Sequence, residues 1–121
     1  MVIEIPGIDV DKGLDLCDGD LDTYVRFLRR YVTSMPESLS KMRNVSEATL
    51  KDYTISAHGV KGISEIIGAT DVIKTARQLE AMAKEGNLTG VLAQNEAFLK
   101  YAETIVAGIQ SWLEEYNALG K

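Results

Sequence analysis

Ala57-His58-Gly59-Val60-Lys61-Gly62-Ile63-Ser64-Glu65-Ile66-Ile67-Gly68-Ala69 contains the chain's single histidine. Wound at ~100° per residue, the segment and its approach gather Lys51, Thr54, Lys61, Gly62 and Glu65 on the side of His58. Thr49, Tyr53, Ser56, Val60, Ile63 and Ile67 fall opposite, with Ile55 and Ile66 on one flank of that apolar side. An apolar face of this width is what a bundle helix buries, so the stretch reads as an amphipathic helix with His58 directed away from the core. A lone histidine is more often a packed structural residue, but its place on a polar stripe argues against that role here.

Lys61 lies one turn along the stripe and Gly62 sits at i+4 from His58, adjacent on the helix surface. Both spacings suit phosphoryl chemistry. A neutral imidazole is a competent nucleophile near pH 7, since the free side chain titrates at about 6.5, and a nearby ammonium screens the oxygens of an attached phosphoryl group. Mid-helix glycine costs roughly 1 kcal/mol relative to alanine. With Gly59 and Gly62 both on or near the histidine face, a compensating use is expected, and close approach by another protein is one.

His58, Lys61, Gly62 and Gly68 fill the pattern H-x-x-K-G with a second glycine ten residues after the histidine. In this the chain resembles the histidine-containing phosphotransfer (HPt) domain family. Gly19-Asp20 followed by Tyr24 and Leu28 is similar to the family's entry to its second helix, and Leu79-Glu80 to a pair on its fourth. The likeness covers nearly the whole chain. Gly59 and Ile63 stand where family members usually carry other side chains, a departure that bears on partner preference more than on phosphorylation.

A chain of 121 residues suits one domain with a real core, expected to span residues 1–121. Hydrophobic residues at 45% and charged ones at 26% mark it as globular, and a formal net charge of -5 without a basic patch argues against nucleic acid. Met1-Val2-Ile3-Glu4 lacks a signal-peptide start, and no apolar run approaches the ~18 residues of a membrane span, so a cytoplasmic location away from membranes is expected. Cys17, alone, forms no internal disulfide and reads as a small buried apolar residue.

Along the chain, Pro6 and Gly7 mark an extended lead-in whose Ile3, Ile5 and Ile8 pack on the body. Asp9 caps a short helix to about Cys17, and Asp20 caps a long one to about Arg43, with a bend or break expected near Thr33 because Pro36 removes a backbone donor. Ser46 opens the histidine helix, which ends near Gly68. A very short turn then makes the next helix, with Val72, Ala76, Leu79 and Ala83 inward, its direct antiparallel neighbour. Glu85-Gly86-Asn87 stops it, and a last helix from near Thr89 carries a stripe including Val91, Leu92, Phe98, Leu99, Ile105, Ile109 and Leu113 before fraying over residues 117–121. The expected fold is all-α: an antiparallel four-helix bundle with a short additional N-terminal helix.

The resemblance implies reversible phosphoryl carriage on His58 between receiver-domain aspartates, reacting at Nε2, with Lys61 stabilising the phosphorylated form and Gly62 giving the partner clearance. It implies a response-regulator receiver domain or a hybrid histidine kinase as partner, the acidic pocket and Mg²⁺ belonging to that receiver, and a monomer. The exposed residues flanking His58 on the first two helices are expected to form most of the partner surface. No cofactor or metal is assigned to this chain, and no independent kinase activity is expected, since it lacks a Gly-rich nucleotide loop and a nucleophile placed with a base. Glu65 is expected to pair with Lys61, and Ser64 to be structural. The alternative of another class is a non-phosphorylated docking module of the same shape, against which the joint presence of His58 and Lys61 counts.

Overall fold

The computed structural model describes residues 3–120. Its elements are α1 (Val10–Leu16), α2 (Leu21–Ser40), a 3-10 turn (Glu47–Thr49) running into α3 (Leu50–Ile67), α4 (Thr70–Lys84) and α5 (Leu88–Ala118). The described residues contain no strand, and α2 to α5 form the helical bundle with α1 in front. The closest pairing is α3 with α4; α4 meets α5, α5 meets α2 and α2 meets α3, while α1 lies on α3 and α2.

The starts of α1, α2 and α5 are set by short polar side chains that satisfy otherwise orphaned backbone donors. The Asp9 carboxylate accepts from Lys12 N at 3.1 Å, Asp20 from Asp22 N at 3.1 Å, and the Asn87 side chain from Gly90 N at 2.9 Å. Between these caps the three-four apolar repeat turns Tyr24, Leu28, Tyr31, Met35 and Leu39 of α2 onto Tyr53, Ala57, Val60 and Ile67 of α3 and Val72, Ala76 and Leu79 of α4, all buried. Each fully buried large aliphatic side chain contributes about 1.5–3 kcal/mol to that assembly. Ile5 is buried and Ile3 and Ile8 pack against the core, as the lead-in pattern predicts; Met1, Val2 and Lys121 lie outside the described residues.

Several boundaries differ from the sequence expectation. The helix is continuous through Pro36, with no break at Thr33, because Met35 and Leu39 on either side of the lost donor are both anchored in the core. It ends at Ser40 rather than Arg43: a turn with Asn44 at φ 55° follows, and that turn still drops Met42 into the core, so the apolar period outlasts the helix. At the other end α5 holds its helical form to Ala118, its tail tied by Arg29 Nη2 donating to Asn117 Oδ1 at 2.6 Å. Leu92, expected on the inner stripe, is exposed, and Asn95 is buried.

Gly68 decides how the site is framed. Its φ of 82° is left-handed, which ends α3, and a Cβ there would run into the backbone carbonyl of Asp9. Asp9 N in turn donates to Gly68 O at 2.7 Å, so the close approach is to the start of α1 rather than to α4. Only two residues separate α3 from α4, and Ala57, Ala76 and Ala83 are buried. Small side chains there bring the two helix axes close enough for long polar side chains to bridge their outer edge.

Candidate functional site

His58 sits in the middle of α3 with its side chain 67% exposed. One ring nitrogen is committed: Nδ1 lies 2.7 Å from Oε2 of Glu80 on α4. Oε1 of the same carboxylate accepts from Lys61 Nζ at 2.9 Å, and Lys84 Nζ lies 3.4 Å from Oε2. One nearly buried carboxylate therefore gathers an imidazole and two ammonium groups across the seam of two helices.

The charge state of Glu80 follows from those contacts. Burial disfavours its carboxylate, yet the hydrogen bonds from Lys61 and His58 and the charges of Lys61 and Lys84 outweigh that, holding its pKa at about 2. An ionised carboxylate only accepts hydrogen bonds, so the proton between the two groups belongs to His58 Nδ1. In the neutral ring the lone pair is then on Nε2, and among the described residues Nε2 has no hydrogen-bond partner. The arrangement presents an oriented imidazole with its distal nitrogen outward.

Lys61 is near His58 as the spacing predicts, but its side chain is only 18% exposed and its ammonium is bound to Glu80. The expected pairing with Glu65 is not formed: Glu65 is exposed, and the carboxylate on α4 takes its place. A Cβ on Gly62 or Gly59 would meet nothing within 4 Å, so no contact inside the chain demands glycine at either position. Ile55 and Ile66, expected to flank the buried face, are 66% and 37% exposed. The reason is tertiary: α2 and α4 cover other sides of α3, leaving Ile55, Gly59, Gly62 and Ile66 as an open band beside His58. At its α2 edge the band meets a shallow groove lined by Phe27, Arg30, Ser34 and Ile63. Ser64 is buried and hydrogen-bonded to Tyr31 Oη at 2.8 Å, a structural pair.

Glu80 and Lys84 are the site neighbours that the sequence did not reveal as such. The signal was present in part, because a carboxylate next to Leu79 on a stripe of small alanines falls at the margin of a buried face. Its partner, 22 residues away on another helix, was not visible. Among the described residues no group of His, Cys, Asp and Glu is placed to hold a metal ion, and no helix is long and apolar enough to cross a membrane.

The family model of the Hpt domain matches residues 26–114, a span that includes all of α3 and α4. The chain belongs to the Hpt domain family. Hpt domains are histidine phosphotransfer modules of phosphorelays, phosphocarriers that interact with receiver domains and histidine kinases, and this is the class of the present chain. No curated protein and no solved structure matches it. The match spans the exposed histidine of this Hpt domain together with its α4 carboxylate, while the lead-in and α1 lie outside it.

Proposed function

We propose that this Hpt domain carries a phosphoryl group on His58 Nε2, accepting it from the aspartyl phosphate of one receiver domain and passing it to another. The observation that supports this most directly is the hydrogen bond from Nδ1 to Glu80 on an otherwise exposed ring. In the forward step the Nε2 lone pair attacks phosphorus, the N–P bond forms, and the P–O bond to the aspartyl carboxylate breaks, that carboxylate leaving as the anion. The ring becomes formally cationic as it is substituted. Glu80, already bound to Nδ1–H, stabilises that charge without reorganising. Transfer onward is the same step reversed.

Glu80 is thus a positioning residue and Lys61 its anchor, 18% exposed and bonded to Oε1. The acidic pocket and Mg²⁺ of the transfer belong to the receiver, and the chain acts without nucleotide or kinase activity of its own. A receiver domain that donates the phosphoryl group must cover the surface around His58. The open band of Ile55, Gly59, Gly62 and Ile66 offers that partner an apolar, low-relief contact next to the reacting nitrogen.

The test is incubation with a receiver domain carrying labelled aspartyl phosphate and Mg²⁺. Acid-labile, alkali-stable label on the natural chain, lost in His58→Gln, is the expected result. Binding to receivers without any label would instead assign the domain a docking role without phosphorylation.

A further inference from the structure

We infer that Lys84, rather than Lys61, is the cation that moves onto the phosphoryl group once His58 is loaded; this rests on the carrier role proposed above. The two lysines hold Glu80 differently. Lys61 donates a hydrogen bond to Oε1 at 2.9 Å from a side chain that is 18% exposed. Lys84 stands at 3.4 Å from Oε2, outside the usual N–H···O range of about 2.7–3.2 Å, on a side chain that is 64% exposed. One is locked and the other is loosely paired.

Their positions differ too. Oε2 is the oxygen that accepts His58 Nδ1–H, whereas Oε1 belongs to Lys61 alone. Lys84 therefore stands on the imidazole's side of the carboxylate. It is also the last residue of α4, where the helix dipole favours a cation and no further helical turn fences its side chain.

Charge balance points the same way. Lys61 and Glu80 neutralise each other, so Lys84 is the surplus positive charge of the cluster, and a phosphoryl group brings nearly two negative charges to within reach of it. Withdrawing Lys61 would leave a carboxylate that is 94% buried without its hydrogen-bonded cation, a costly change. Withdrawing Lys84, a side chain already 64% exposed at 3.4 Å, leaves the carboxylate its hydrogen bonds from Lys61 and His58. The structure thus assigns Lys61 to holding Glu80 and Lys84 to meeting the phosphoryl oxygens.

The experiment loads the natural chain, Lys84→Ala, Lys84→Arg and Lys61→Ala with labelled phosphoramidate, a small donor that needs no docking. Loading rate and phosphohistidine lifetime are followed at low and high salt. Lys84→Ala is expected to slow loading and shorten the lifetime by about three- to tenfold at low salt. The difference should shrink as the Debye length falls from about 30 Å at 0.01 M to about 3 Å at 1 M. Lys84→Arg should recover both quantities, and Lys84→Ala should keep the natural melting temperature while Lys61→Ala lowers it. A lifetime and loading rate unchanged in Lys84→Ala at low salt, or a defect that arginine does not repair, overturns the inference. If the natural chain takes no label from phosphoramidate or from receivers, the carrier role falls and this inference with it; label on a Lys84→Ala chain indistinguishable from the natural one removes the inference alone.

Discussion

Of the polar contacts that bridge helices in this protein, two clusters contrast, one inside the bundle and one at its edge. Inside, Tyr53 Oη donates to Asn95 Oδ1 at 2.8 Å and Asn95 Nδ2 donates to the Met42 carbonyl at 2.8 Å, joining α3, α5 and the turn after α2. At the edge, His58 and Lys61 meet Glu80 at 2.7 and 2.9 Å, joining α3 and α4. The bond lengths are alike, and no buried side-chain polar atom among the described residues lacks a partner. The difference lies in where each chain of bonds ends. The inner one closes on a backbone carbonyl, while the outer one ends on an exposed ring whose other nitrogen has no partner among the described residues. Fully closed, a buried network specifies packing; left open at an exposed end, the same bonding orients a ring toward solvent.

The largest effect that would break this comparison is expected from His58→Gln. Phosphoryl acceptance from a labelled receiver should drop to background while helix content by circular dichroism is retained, since the position is exposed and a glutamine amide can donate to Glu80. Residual label would move the open end of the network elsewhere.

Tyr53→Phe tests the closed cluster. Removing the hydroxyl leaves the Asn95 amide oxygen buried without its donor, expected to cost about 1–3 kcal/mol by chemical denaturation while transfer rates stay at the natural level. A loss of transfer without a loss of stability would erase the division between the two clusters.

Glu80→Gln should slow loading of His58 about tenfold, because the amide no longer stabilises a cationic ring and its NH₂ faces the Lys61 ammonium. The same variant reports on pH. The Glu80 carboxyl has its pKa lowered from 4.5 to about 2, so its stabilising contribution is full above the unfolded value and fades as pH falls from about 4.5 toward 2. Melting temperatures across that window should fall less steeply in Glu80→Gln; parallel curves would mean that the carboxylate does not govern acid sensitivity.

The smallest effect on the fold belongs to Gly62→Gln. A helical glycine with open space around its Cβ can be replaced with a gain of up to about 1 kcal/mol. Transfer from a receiver should nevertheless weaken severalfold while loading from phosphoramidate stays constant. Equal rates from both donors would remove the role of clearance at this position.

Much of this was legible in order. The 3.6-residue period placed Tyr53, Val60 and Ile67 inward and His58 outward, and Asp9 and Asp20 marked helix starts where their side chains accept backbone hydrogen bonds, whereas Asn87, read as part of a stop, caps α5. Where local pattern failed, a neighbour decided. Ile55 and Ile66 fall on one flank of the apolar side of a helical wheel and are exposed because no helix packs on that flank, whereas Asn95, a polar residue, is buried with Tyr53 and the Met42 carbonyl satisfying its amide.

The sequence by itself determined the helices, the outward face of His58 and the spacing to Lys61 and Gly62, because these depend on contacts within a turn or two of one helix. Only the tertiary structure decided that Lys61 turns to Glu80 and not to Glu65, that Nδ1 holds the proton, and that Lys84 joins them. Those contacts depend on the rotation and separation of α3 and α4, fixed by buried alanines and the turn at Gly68, and no one-dimensional period encodes a distance between two helices.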